Sequence, residues 1–187
     1  MEISDGGIII VAQPRTGSTN LMRSIGSFYN KKTVFEPDLI NNNPKCDCTK
    51  DVVKFFPYWP AHFDNTMEYD YDVILKEIKK YNTIILLSRK NKEEQIESFY
   101  SVKHLLNAEY DTKWGNEIID KTSKEFKFYK EYIKKFDTIL QKISEDLNID
   151  INYYEDVYKN KKLNNDIKLD LSYLSNEKKL RQVSKLI

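Results

Sequence analysis

Residues 8–21 read Ile8-Ile9-Ile10-Val11-Ala12-Gln13-Pro14-Arg15-Thr16-Gly17-Ser18-Thr19-Asn20-Leu21. The run Ile8 to Ala12 is apolar and mostly β-branched, which predicts a strand buried on both faces, as in parallel sheets. A polar turn holding Pro14 and Gly17 follows, and a segment with helical spacing begins at Ser18. Strand, turn and helix start together make an anion site. The first helical turn presents backbone N–H groups that lack intrahelical partners, and Gly17 lets the backbone approach a ligand. Ser18 and Thr19 add hydroxyls, and Arg15 adds a permanent positive charge. A Walker A loop is G-x-x-x-x-G-K-[ST]; this turn lacks the first glycine and the lysine after the second, so it is a phosphate loop of another kind.

Downstream, Leu21, Met22, Ile25 and Phe28 keep helical spacing, so Ser18 to Tyr29 is expected as a first crossover helix. Thr33-Val34-Phe35-Glu36-Pro37 reads as a second strand stopped by proline. Asp38 to Asp51 has the composition of a surface loop, and Val52 to Phe56 reads as a third strand. The aromatic, proline-broken segment Pro57-Tyr58-Trp59-Pro60-Ala61-His62-Phe63 is where substrate contacts are expected, with His62 in a loop near Lys54. Tyr71 to Tyr81 is amphipathic and leads into the buried strand Thr83 to Ser88. Asn91-Lys92-Glu93-Glu94 has the N-cap and N3 acid of a capping box, opening a helix to about Ala108. A second box, Thr122-Ser123-Lys124-Glu125, opens the longest helix. The apolar stripe of that helix, including Tyr129, Tyr132, Phe136, Leu140 and Leu147, is core, with lysines on a solvated face. Ile149 to Tyr154 is a last strand. Strands alternating with helices imply right-handed crossovers and an α/β fold of three layers, a central parallel sheet flanked by helices, with ligands at the carboxyl ends of the strands.

The 187 residues suit one domain spanning 1–187, and the polar, lysine-rich stretch from Lys159 onward is expected to be partly disordered. Charged residues make up 32% of the chain, yet the formal net charge is +1. No global field therefore points to nucleic acid or a membrane surface, and anion binding must come from local clusters. Cys46 and Cys48 are too close together to suit a mutual disulfide and too few for a four-ligand zinc site, so they read as reduced thiols in a loop. The start, Met1 to Ala12, is acidic before a short apolar core and is no signal peptide, and no run approaches a membrane span. A soluble, cytoplasmic protein is expected.

Pro14-Arg15-Thr16-Gly17-Ser18-Thr19 resembles the 5′-phosphosulfate loop of sulfotransferases that use 3′-phosphoadenosine 5′-phosphosulfate (PAPS). The resemblance implies a P-loop-like fold in which Pro14, Arg15, Thr16, Gly17, Ser18, Thr19 and Asn20 hold the donor. A second segment, Leu86 to Phe99, resembles the family's 3′-phosphate motif, in which a strand ends in a cation and the next helix supplies a serine. A guanidinium at the strand end and a hydroxyl in the adjacent helix can converge on one phosphate, with the helix dipole assisting. Ser98 is the serine; the family's usual spacing selects Lys90 as the cation, whereas residue identity selects Arg89. Asn152-Tyr153-Tyr154-Glu155-Asp156-Val157 is similar to the Tyr-Glu-Asp-Leu run at the family's last core strand, where its role is chiefly structural.

Val34-Phe35-Glu36-Pro37 resembles the Phe-Glu-Pro run of carbohydrate sulfotransferases, and Val53-Lys54-Phe55 the strand whose lysine reaches the transferred group in cytosolic members. Where those members place a general-base histidine, this chain has Phe56. Transfer to a hydroxyl needs a base within hydrogen-bond reach. Glu36 is the first candidate, standing where the tyrosyl-protein and bacterial glycolipid branches place a carboxylate. His62 is the second, and His104 reads as packing or surface. The resemblance thus implies sulfuryl transfer from PAPS to a hydroxyl on a carbohydrate, glycolipid, other small molecule or tyrosyl group. Adenosine 3′,5′-bisphosphate (PAP) is released, no metal is required, and Arg15 and Lys54 stabilise charge. Tyr58, Trp59 and Phe63 are candidates to stack on the acceptor. A P-loop small-molecule kinase would share the fold but lacks its lysine and a magnesium-binding acid here. A PAP-binding protein without catalysis is a third alternative.

Overall fold

A computed structural model describes residues 6–39, 44–62, 65–68, 70–101 and 119–158, with backbone only for 58–62 and 65–68. Its elements are β1 (Ile8–Ala12), α1 (Ser18–Phe28), β2 (Thr33–Phe35), β3 (Val52–Phe55), β4 (Tyr58–His62), β5 (Asn65–Glu68), α2 (Tyr71–Ile78), β6 (Thr83–Ser88), α3 (Lys92–Tyr100), α4 (Lys124–Leu147), β7 (Ile151–Tyr153) and α5 (Tyr154–Val157). Five strands form one sheet in the order β2-β3-β1-β6-β7, and every pairing in it is parallel. The fold is α/β, with helices packed against that sheet.

The pattern of burial explains the arrangement. All residues of β1, β3 and β6 are buried, which requires cover on both faces of the sheet. α1 packs against β1, β2 and β3, while α4 packs against β6, β7 and α3. Phe136, Leu140 and Ile143 of α4 are wholly buried, each contributing roughly 1.5–3 kcal/mol by leaving water. The Phe136 ring also meets Phe56 edge-on, with centroids 6.3 Å apart. The register sets Val11 beside Phe55 and Leu86, so β1, β3 and β6 end at one level, and the turn after β1 emerges between the ends of β3 and β6.

Several details differ from the sequence expectation. His62 lies in a strand, not a loop: Pro57 is followed by an antiparallel hairpin, β4 and β5, with Tyr58 opposite Glu68. The register slips between Pro60 and His62, and such an irregularity tolerates a proline that cannot donate to a ladder. The side chains of Tyr58, Trp59 and His62, and all of Phe63, lie outside the described residues. The cap of α4 is Ser123, whose hydroxyl accepts from the Phe126 N–H, while Thr122 bonds Asp120; the second capping box is therefore absent. The last strand is shorter than expected, because Tyr154 starts a helical turn. The expected end of α3 near Ala108, His104, and the tail from Lys159 lie outside the described residues. No helix among the described residues is long and apolar enough to cross a membrane.

Candidate functional site

The turn after β1 is braced from within. The Gln13 N–H bonds the Leu87 carbonyl at 3.3 Å, carrying the strand one residue onward. The Thr16 hydroxyl donates to the Gln13 carbonyl at 2.8 Å, so this side chain closes the turn instead of facing outward. Arg15 and Gly17 both take left-handed backbone angles, with φ 62° and 72°. Gly17 is the N-cap of α1, and no side chain caps that helix. Without a hydroxyl or carboxylate cap, the helix start keeps its N–H donors for another acceptor. The Ser18 side chain is buried along with Thr16, whereas Arg15, Thr19 and Asn20 are partly exposed.

Gly17 has a second role that the sequence reading missed. A Cβ there would sit 2.7 Å from the Tyr158 ring, and the Tyr158 hydroxyl donates to the Gly17 carbonyl at 2.6 Å. The close approach is made by a ring of the same chain. Tyr158 in turn stacks at a tilt on Tyr154, with centroids 4.9 Å apart. The only sequence signal was the neighbouring Tyr-Glu-Asp run.

The turn after β1 and the segment from Leu86 to Phe99 meet. The Arg15 Nε donates to the Ser98 hydroxyl at 2.9 Å, and the Arg89 Nη1 reaches the Arg15 carbonyl at 3.5 Å. Arg89 is 8% exposed, lies over the Tyr154 ring at 4.7 Å and pairs with Glu94 at 2.7 Å. Its Nε is buried without a hydrogen-bond partner. Lys90 goes elsewhere: it is exposed, and its ammonium pairs with Asp156 at 2.7 Å. Of the two candidate cations, only Arg89 has its side chain against the turn.

A polar network supports the turn from below. Gln95, wholly buried, donates to the Pro14 carbonyl at 2.8 Å and to Gln13 Oε1 at 2.9 Å. Lys92 bonds Gln13 Oε1, Ser88 and Asp137. These links join α3 and α4 to the turn. Gln95 was missed in the sequence, although a glutamine between the inward-facing Ile96 and the helix start was its signal.

On the other side of the α1 start, Lys54 is 3% exposed at the end of β3. Its ammonium pairs with Glu36 at 2.5 Å, donates to the Thr19 hydroxyl at 2.9 Å, and lies over the rings of Phe35 and Phe56 at 3.9 and 4.6 Å. Burial pushes the Lys54 ammonium below its ordinary pKa; the charge and hydrogen bond of Glu36 oppose that, and Arg15 and Arg23 add to it. Glu36 sits at φ 45° and its N–H bonds the Lys54 carbonyl at 2.9 Å. A non-glycine residue at positive φ is strained by about 1–3 kcal/mol. Thr19 is the link between the two halves, since it belongs to the helix start and touches Lys54. Among the described residues, no group of three or more His, Cys, Asp or Glu side chains could hold a metal ion.

Fold and site together define an α/β protein whose first parallel strand runs into a braced turn and an uncapped helix start. No family model matches the sequence, and no curated protein matches it either. Among solved structures, the chain is similar to the solution NMR structure of a de novo designed PLOOP2X3_50 fold protein. The identity is 14%, the match covers 76% of this chain and 96% of that one, and the TM-score is 0.30. A likeness that weak carries no argument about this chain.

Proposed function

We propose that this protein transfers a sulfuryl group from PAPS to a hydroxyl acceptor and releases PAP. The observation that carries the reading is the convergence of two distant motifs, both resembling donor-site motifs of sulfotransferases. Arg15 bonds Ser98 across 83 positions, and Arg89 reaches back to the Arg15 carbonyl. The buried Arg89 Nε supports it further: it makes no hydrogen bond, with the Glu155 carboxylate 3.8 Å away, and a buried donor in that state gains from a ligand that supplies an acceptor.

In this reading the N–H groups of the α1 start and Arg15 hold the 5′-phosphosulfate, while Arg89 and Ser98 hold the 3′-phosphate. Lys54 faces the sulfuryl oxygens. Glu36 keeps one carboxylate oxygen on Lys54 and offers the other to the acceptor hydroxyl as general base. The acceptor oxygen bonds sulfur as the sulfur–oxygen bond to the 5′-phosphate breaks. The hydroxyl proton passes to Glu36, and the electron pair leaves with the phosphate, where Arg15 meets the growing charge. The proposal includes a cytoplasmic site of action and small-molecule partners; the net charge of +1 supports a small-molecule partner over nucleic acid.

Thermal unfolding with PAP, PAPS, GTP, and ATP with and without magnesium tests this. PAP and PAPS should raise the melting temperature, since a ligand of the native state stabilises it by mass action. A response to magnesium ATP with none to PAP would replace this reading with a small-molecule kinase.

A further inference from the structure

The guanidinium of Arg89 is claimed by two carboxylates that are held very differently. Glu155 stands 3.8 Å from Nε and is fixed from behind, accepting the N–H of Lys90 at 2.9 Å and of Asn91 at 3.0 Å. Burial pushes the Glu155 carboxyl up, but those backbone bonds and Arg89 outweigh it and hold its pKa below the ordinary value. Glu94 is the opposite case. Its side chain is 60% exposed, one oxygen bonds the Arg89 Nη2 at 2.7 Å, and the other accepts from the Asn91 side-chain amide at 3.2 Å. One carboxylate is anchored, and the other can swing into water.

The buried Arg89 Nε lacks a hydrogen-bond partner, so Glu94 fills the seat incompletely. A phosphate brings three acceptor oxygens and more negative charge, enough to take Nη2 and satisfy Nε together.

We propose that Glu94 is a built-in competitor for the anion seat on Arg89: it holds the guanidinium when the seat is empty and must turn away when a phosphate monoester enters. The proposal rests on the reading of Arg89 as the 3′-phosphate residue. Its physical consequence is a seat shielded from the anions of bulk solution and a bound nucleotide that is released more readily. Glu94 is the exposed partner and returns to water cheaply while the phosphate keeps the buried guanidinium paired, so the competitor lowers affinity without abolishing it.

Isothermal titration of PAP and 5′-AMP into wild type, Glu94→Gln and Arg89→Ala tests this. Glutamine keeps the length of the side chain and its bond to Asn91 while removing the charge. Glu94→Gln should bind PAP about three- to tenfold tighter, with 5′-AMP unchanged, in keeping with the loss of one charge-assisted competitor. Inorganic phosphate should also compete with PAP at lower concentration in this variant. Suppose wild type prefers PAP to 5′-AMP, Arg89→Ala loses that preference, and Glu94→Gln binds PAP no better than wild type. The competitor role is then overturned while the phosphate seat stands. If wild type shows no preference for PAP, or Arg89→Ala keeps it, the seat assignment fails and the competitor role fails with it. Far-ultraviolet circular dichroism of each variant confirms folding, and Glu94→Ala should repeat the gain of Glu94→Gln if the lost charge is its cause.

Discussion

The phenol of Tyr158 donates a 2.6 Å hydrogen bond to the carbonyl of Gly17, tying the residue after α5 to the turn after β1. The ring occupies the space that a side chain at Gly17 would need, and Tyr158 is 3% exposed. Burial raises the Tyr158 pKa, which keeps the hydroxyl a donor.

Gly17→Ala should therefore be costly in two ways: its Cβ collides with the ring, and φ 72° disfavours any L side chain. A loss of about 2–4 kcal/mol is expected in urea unfolding, from strain of about 1–2 kcal/mol plus displacement of a packed ring. Tyr158→Phe removes only the hydrogen bond and should lose about 1 kcal/mol. Equal effects of the two changes would contradict this division.

Arg89 and Lys90 should separate cleanly in nucleotide binding. Arg89→Ala is expected to lose most of the preference for PAP over 5′-AMP, roughly tenfold or more for a charge-assisted contact. Lys90→Ala should leave it unchanged, because that ammonium is exposed and engaged with Asp156. Ser98→Ala should have an intermediate effect, since it removes a neutral hydroxyl from the 3′-phosphate while the Arg89 guanidinium remains. A greater loss in Lys90→Ala than in Arg89→Ala would reverse the assignment.

Glu36 and Lys54 are expected to show coupled stability and separable function. Glu36→Ala strands a cation whose side chain is 4% exposed, and breaking a buried pair in this way costs about 3–5 kcal/mol. Adding Lys54→Met should recover much of that loss, which a double-mutant cycle in urea would measure. Glu36→Gln should leave PAPS affinity nearly intact while lowering turnover by roughly a hundred- to ten-thousandfold, the usual cost of losing a general base. Near-normal turnover in Glu36→Gln would remove the base role from this residue.

Glu155 should contribute to acid sensitivity. Its folded pKa lies below the ordinary 4.5, because bonds from the Lys90 and Asn91 N–H groups outweigh burial. The sign follows by linkage: the stabilisation is complete above pH 4.5 and is lost as pH falls through the lower, folded value. Wild type should therefore lose more stability on acidification below pH 4.5 than Glu155→Gln does. Parallel pH profiles for the two proteins would show that the carboxylate is not held as described.

Periodicity made the core strands and helices legible in the sequence, because β1, β3 and β6 are buried on both faces and read as unbroken apolar runs. Arg15 and Ser98, with Arg89 and Lys90 as alternatives, stood out in the sequence because a turn or helix start follows each strand. The hairpin of β4 and β5 was hidden: Pro60 and the aromatic residues signal a broken segment, and pairing that tolerates a proline through a shifted register leaves no alternation to read. The choice between Arg89 and Lys90 was also hidden, since adjacent residues at a strand end point in opposite directions and only Asp156 and the turn itself reveal which goes where. Gln95 and Tyr158 act through contacts across 81 and 141 positions, which no local pattern encodes.

The strand order β2-β3-β1-β6-β7 also governs when this site can exist during folding. β1 is made first, but both of its neighbours come from later in the chain, and each parallel pairing closes a long loop before it is rewarded. The turn after β1 consequently stays without its walls until β6, α3 and finally Tyr158 have arrived. A nascent chain that ends before β7 would leave β6 as an open edge of six apolar-rich residues, a template for pairing with other chains. Completion of the site and protection from aggregation thus depend on the same late segment of the polypeptide.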